Sequence, residues 1–226
     1  DVLPEPTWLE ELAGALRVDP AAGSYASKML FAGDRSTINS AGDLFLDNGT
    51  PGNRGVWERD VGQYDESTYV FGACGGAALY RAEALADVGP FDEWFVSYCE
   101  DVDWAFRAQL AGYRCRYVPT ARAYHIGSAT GGGAYASFHC GRNFIATVVK
   151  NMPTSVWRRH WRKIAATQIR LGWEAVRHGR EPAARARLRG QIEAIARLPE
   201  LLARRKDIQR RNRVHDLAIE RVLTPA

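Results

Sequence analysis

Pro153 divides this chain into two stretches that cannot fold alike. Before it, short runs of β-branched and aromatic residues alternate with helical spacing and with Gly/Pro/Asn turns. After it, the pattern is helical to the end. Charge follows the same divide. Residues 1–150 hold 12 Lys/Arg against 19 Asp/Glu, a net of −7, whereas residues 151–226 hold 18 against 7, a net of +11. The split predicts an acidic globular part, residues 1–153, joined to a basic, surface-seeking helical part, residues 154–226. With 226 residues, 46% of them hydrophobic, the chain can build one domain with a real core plus extra elements. Cys74, Cys99, Cys115 and Cys140 include no closely spaced pair of the zinc or redox type, so reduced, buried thiols are the simplest account. No apolar run approaches the roughly 20 residues of a membrane span.

Taken in order, Asp1-Val2-Leu3-Pro4 reads as the end of a strand. Thr7-Trp8-Leu9-Glu10 reads as a capping box, with Leu9, Leu12 and Leu16 striping a short helix. Strands are predicted at Tyr25 to Ala32, Thr37 to Asn39, Leu44 to Leu46 and Tyr69 to Phe71. Between Asp47 and Gly62 lie four Gly, one Pro and two Asn, a loop that either reaches toward a ligand or is an inert excursion. The small side chains from Gly72 to Ala78 allow a backbone to approach a ligand or simply to pack tightly. No Gly-Lys-Ser/Thr follows, so this is not a P-loop. A short helix with Ala84, Leu85 and Val88 closes at Gly89. Arg114 to Val118 alternates like a strand ended by Pro119, and Ala121 to Ile126 forms another. Gly127 to Gly133 is a loop able to close over a site, and a helix runs from Tyr135 to Asn151.

Tyr98-Cys99-Glu100-Asp101-Val102-Asp103-Trp104 places three carboxylates within four positions, between aromatic residues. They stand at the start of a helix marked by Phe106 and Leu110 and stopped by Gly112. The helix macrodipole favours first-turn acids, and one acid would need no further reason. Three acids after the aromatic, loop-like approach Gly89 to Ser97 also suit the wall of a cleft.

Gly89-Pro90-Phe91-Asp92, Glu100-Asp101-Val102-Asp103, Arg107 and Gly112-Tyr113, followed by Tyr117-Val118-Pro119 and Ala123-Tyr124-His125, resemble the acceptor-side signature of family 2 glycosyltransferases. The likeness is closest to rhamnosyltransferase-like members that build bacterial surface polysaccharide, and it runs roughly from Asp1 to Pro153. It implies an α/β fold, the C-terminal portion of the GT-A mixed sheet of nucleotide-diphospho-sugar transferases. The βαβ half that carries most of the nucleotide site is then expected to precede Asp1. The implied reaction is an inverting transfer of a sugar from a nucleotide-diphospho-sugar donor to a lipid-linked or polysaccharide acceptor. Asp101 matches the family's catalytic base. Gly75, Gly76 and Ala77 would lie under the sugars, and Glu100 and Asp103, with Trp104, would meet the acceptor; Asp103 could instead be only a first-turn stabiliser. The diphosphate calls for Mn²⁺ or Mg²⁺, and the resemblance puts its ligands at Asp1 and His125. Read without the resemblance, Asp1 is a terminal residue and His125 a structural one; His139 and His160 have no matching context.

Beyond Pro153, the residues Trp157, Trp161, Ile164, Ala165, Ile169, Trp173 and Val176 share a broad helical face, with Arg159, Lys163, Arg170 and Arg177 opposite. That pattern describes either an interfacial membrane helix or a helix packed on the domain with its basic side solvated. A second helix is predicted over Ala183 to Leu198, interrupted at Pro199, and a third from Leu201 to Leu223. Arg204-Arg205-Lys206 and Arg210-Arg211 are candidates for anionic lipid. Together these features predict a cytoplasmic protein, peripheral on the inner face of the plasma membrane. The alternative is a non-catalytic glycan- or partner-binding module docked by its basic helices. Nucleic acid is disfavoured, because the basic residues alternate with an apolar stripe and carry no recognised motif.

Overall fold

A computed structural model describes residues 1–127 and 132–226. In chain order the elements are β1 (Val2–Pro4), α1 (Trp8–Val18), β2 (Ser24–Phe31), β3 (Asp34–Ser40), β4 (Asp43–Phe45), β5 (Pro51–Asn53), β6 (Tyr69–Val70), β7 (Ala78–Tyr80), α2 (Ala82–Val88), α3 (Glu100–Leu110), β8 (Cys115–His125), α4 (Gly133–Asn151), α5 (Thr154–Arg177), α6 (Pro182–Ala196), α7 (Leu198–Arg210) and α8 (Asp216–Val222). The expected closing loop, Gly127 to Gly133, falls largely outside the described residues.

The sheet is mixed. Its centre is the parallel pair β2 and β8, which Ser24↔Cys115 and Phe31↔His125 bring into register. The outer edge of β8 pairs antiparallel with β6 near its start and with β1 near its end. The outer edge of β2 does the same with β7 and then β3. Both central strands therefore finish at the same end of the sheet, the end where open α/β sheets bind ligands. Strand β2 is buried almost throughout, as a strand covered on both faces must be. On one face α1 packs Leu12, with Trp8, Ala15 and Leu16, against Tyr25, Val118 and Ala121.

Four local expectations are corrected. Thr7 does not cap α1 with its side chain; it sits at φ −88°, ψ −3°, and Leu9 is exposed rather than part of the stripe. Pro119 does not end a strand. It lies in the single strand β8, where the register with β2 jumps from Ser27↔Val118 to Lys28↔Arg122, and a bulge is where a proline is tolerated. The loop from Asp47 to Gly62 contains β5, which folds back on β4 as a hairpin turned by Gly49 at φ +81°. The last helical stretch is two helices, α7 and α8, and Pro199 opens α7 instead of interrupting α6.

Packing also does not stop at Pro153. Val156, Ile164, Leu201, Ile219 and Leu223 belong to the same buried cluster as Phe45, Phe71, Phe95, Phe106 and Met152. Helix α6 lies along α4 so closely that a Cβ on Gly190 would come within 2.1 Å of the Phe138 carbonyl oxygen. The basic helices complete the core; they are not a detached tail.

Candidate active site

The register of β1 on β8, Val2↔His125, brings Asp1 beside His125 at the ligand-binding end of the sheet. The two side chains stand 3.6 Å apart, Asp1 Oδ2 to His125 Nε2. On its other side, His125 Nδ1 meets Asn39 Oδ1 at 3.2 Å. An amide oxygen can only accept, so Nδ1 carries the proton and Nε2 turns its lone pair toward Asp1. Burial holds the imidazole's pKa below its ordinary value.

Asp101 arrives from α3. The approach is strained: Val96, Tyr98 and Cys99 all have positive φ, at 62°, 65° and 67°. For a β-branched residue that is an outlier, and it persists only where its surroundings impose it. Helix α4 does so. Asn143 Nδ2 donates to the carbonyls of Phe95, Ser97 and Tyr98, and Arg142 donates to those of Trp94 and Phe95. Clamped in this way, the loop delivers Glu100 and Asp101 to the first turn of α3. The Asp101 carboxylate accepts from Gly75 N–H and Val102 N–H, both at 2.8 Å. A Cβ on Gly75 would lie 3.4 Å from Asp101 Oδ2, so the missing side chain keeps this contact open. Burial raises the Asp101 pKa, and the backbone donors hold the rise back.

These groups line one pocket of about 480 Å³, which holds Asp1, Asn39, Asp43, Gly75, Gly76, Glu100, Asp101 and His125. Pro51, Gly52 and Asn53 of the hairpin and Cys140 and Phe144 of α4 complete its wall, and no Lys or Arg is among its lining residues. The pocket is thus strongly acidic. Asp43 is the member that the sequence did not single out. It is 3% exposed, and its Oδ2 has no hydrogen-bond partner among the described residues. Burial, and then the charge of Asp101, push its pKa well up, which favours its neutral form. Glu100 shares the condition more mildly: its pKa is raised by burial and by Asp101, and its Oε2 is unpartnered.

Three expected substrate residues lie elsewhere. Ala77 is buried against Met29 and Ala123. Trp104 is fully buried, stacks edge-on against Tyr80 at 4.8 Å and donates its Nε1–H to the Gly89 carbonyl. Asp103 is fully buried and accepts from Lys150 and Asn151, both at 2.8 Å, and from Arg107 at 2.9 Å. Two positions along a helix are about 200° of rotation, so Asp101 and Asp103 face opposite sides of α3. A second cleft, of about 520 Å³, opens at the other end of α3, lined by residues of α3 and α7. Its walls are cross-paired, Asp87 with Arg213 and Asp92 with Lys150 and Arg204.

The residues present fit a divalent cation in part. Asp1 and His125 offer two converging donors, and among the described residues no cluster of three or more His, Cys, Asp or Glu side chains is arranged to hold an ion. Two protein ligands, with the rest supplied by diphosphate and water, is a usual arrangement for a hard cation at a phosphate site.

A mixed α/β sheet with an acidic pocket at the ends of its parallel strands, and a carboxylate at a helix start facing it, is consistent with the fold that the resemblance to family 2 glycosyltransferases implies. The comparisons with known proteins agree. Residues 5–173 match the model of the glycosyl transferase family group 2, and the chain belongs to that family. It is similar to Rhamnosyltransferase WbbL of Escherichia coli (strain K12), 40% identical over 58 residues, which are 26% of this chain and 22% of that protein. It is also similar to the N-acetylglucosaminyl-diphospho-decaprenol L-rhamnosyltransferase of Mycobacterium tuberculosis (strain CDC 1551 / Oshkosh), 43% identical over 51 residues, 23% of this chain and 17% of that protein. The matched stretch thus spans about a fifth of the length of these relatives.

Proposed function

We propose that this protein transfers a sugar, with inversion, from a nucleotide-diphospho-sugar to a hydroxyl acceptor, and that Asp101 is the general base. The observation that carries the reading is the single pocket shared by Asp101, Asp1 and His125. The Gly75 and Val102 N–H groups occupy one lone pair on each Asp101 oxygen and leave others for an incoming hydroxyl. A carboxylate whose pKa is raised by burial is a stronger base than one in water, and the backbone donors limit that rise. The acceptor oxygen attacks the anomeric carbon as its proton passes to Asp101, and the diphosphate leaves from the opposite face. Glu100 stands beside the base and can accept from a second acceptor hydroxyl.

The described lining holds no Lys or Arg, and an acidic pocket repels a diphosphate, so a bound cation is suited to balance that charge. Asp1 and His125 would hold Mn²⁺ or Mg²⁺ there, and such an ion stabilises the charge of the leaving diphosphate. The rhamnosyltransferase relatives make a deoxyhexose the first donor to try.

The test is Asp101→Asn in the natural full-length protein. Turnover is expected to fall by about 10²–10⁴-fold, the usual worth of a general base, with donor affinity retained. Wild-type turnover from the variant would remove Asp101 from the role. Calorimetric titration with nucleotide sugars and Mn²⁺ separates enzyme from binding module, since only the enzyme hydrolyses or transfers the donor.

A further inference from the structure

On α5 the docked strip runs through Val156 and Ile164, both buried, with Arg159 and Lys163 beside it pairing with Glu220 and Asp47; Arg170 is exposed and pairs only with Glu174 of its own helix. The apolar face is left outside. Trp157, Trp161 and Trp173 are 44%, 45% and 62% exposed, and Ile169 and Val176 are exposed with them. At 100° per residue these five span an arc of about 160°. Arg158 and Arg162 fall within that arc, and Arg177 and Arg180 lie at its edge and just past the helix end. Among the described residues none of these four arginines pairs with a carboxylate, although the Arg162 guanidinium lies against the Trp161 ring.

We propose that this exposed face of α5 lies flat on an anionic lipid bilayer. Tryptophan is the side chain best suited to the boundary between hydrocarbon and headgroups, because its ring is apolar and its N–H is polar. The 24 residues of α5 make a rod of roughly 36 Å, with Trp157 and Trp161 projecting from its first half and Trp173 from the other flank of its second half, where Gly172 packs on Gln191 of α6. No helix among the described residues is long and apolar enough to cross a membrane, so the contact is interfacial. Charge selects the occupant. Helix α5 carries five arginines and one lysine against the single acid Glu174, and that acid is already paired, so a second copy of the same face would be repelled. An anionic headgroup layer complements it.

The surface belongs to α5 and not to α7. There Arg204 is held by Asp92 and Glu200, Arg205 by the carbonyls of Val149 and Met152, and Arg210 by Asp207. The side of α5 turned away from that face grips the β4–β5 hairpin through Lys163–Asp47, with Ile164 against Gly49, and that hairpin supplies Pro51, Gly52 and Asn53 to the pocket wall.

The test uses the whole chain with vesicles of phosphatidylglycerol and phosphatidylethanolamine, against vesicles of phosphatidylcholine alone. Flotation is expected with the first, weakening as salt rises, and brominated lipid should quench tryptophan fluorescence. Combining Trp157→Ser, Trp161→Ser and Trp173→Ser should abolish the quenching and lower partitioning at least ~30-fold. Trp157 and Trp161 are more than half covered, so Trp173→Ser alone, at the most exposed ring, is the variant whose melting temperature should not change and whose quenching should still fall. Combining Arg158→Gln, Arg162→Gln, Arg177→Gln and Arg180→Gln should cost about 10²-fold or more at low salt, at about fivefold per charge. Lys206→Gln with Arg211→Gln on α7 should change partitioning less than twofold. The proposal is overturned if the α7 pair matters more than the α5 set, if the serine variant still floats, or if no form floats. It is equally overturned if the serine substitutions instead convert a lipid-free dimer to a monomer in light scattering, or abolish retention of duplex DNA. Asp101→Asn should bind vesicles like the wild type, so lipid contact and sugar transfer fail or succeed separately.

Discussion

At the scale of single residues, the site depends on two aspartates with opposite tasks. Asp101 is reached by backbone donors and by the pocket, and Asp43 lies beneath with nothing to donate to. The raised Asp43 pKa has a consequence for stability. Its folded-state acid is favoured below the unfolded-state value near 4, and that advantage is lost as pH rises toward the folded value, because the unfolded chain ionises first. Asp43→Asn should therefore melt higher than the wild type at pH 7, and the gap should close by about pH 4; a gap independent of pH would contradict a neutral, buried acid. That Asp101, Glu100, Asp1 and His125 would gather at one pocket was legible through the motifs that carry the family resemblance. Asp43 was not, because an isolated acid after a Gly in a loop-like stretch is indistinguishable in sequence from a surface turn.

At the scale of elements, α4 decides where the base stands. Asn143 replaces three lost backbone partners along a segment that runs at positive φ, and its own neighbours in sequence give no hint of this. Asn143→Ala should remove one donor from each of these carbonyls, Phe95's keeping Ser97 N–H and Arg142, and let Asp101 drift. A displacement of about 1 Å can cost ~10²-fold in rate, so kcat is expected to fall by that order with a smaller change in donor affinity. Asp103 is the contrasting case. Its network with Arg107, Lys150 and Asn151 ties α3 to α4, and breaking a buried pair costs about 3–5 kcal/mol. Urea unfolding of Asp103→Ala should show a loss of that size, with the acceptor KM of the folded enzyme unchanged. A raised KM at unchanged stability would return Asp103 to the acceptor. The helix itself was readable from its periodicity. The direction each acid faces was not, because a helix start exposes acids to the dipole all round.

At the scale of the whole molecule, composition marked a real change at Pro153 but misplaced its meaning. The charge split is borne by outer faces, while the inner faces of α5, α7 and α8 share the core with α3 and α4. Residues 1–153 alone should therefore expose that cluster and give a loosely packed, aggregating product, measurable as lost near-ultraviolet dichroism; a sharp two-state melt from this fragment would contradict the shared core. The mixed sheet was only partly legible, since pairing β1 and β6 along one edge of β8 joins residues that are distant in sequence. The central claim is that one pocket holds the base on one side and a cation pair on the other. Anomalous diffraction from crystals of the full-length protein grown with Mn²⁺ and a nucleoside diphosphate tests it directly. The account predicts a peak within about 2.3 Å of an Asp1 oxygen and of His125 Nε2, with diphosphate oxygens on its open side and Asp101 facing it across a space one sugar wide. Diphosphate bound with its metal away from this pocket would contradict it.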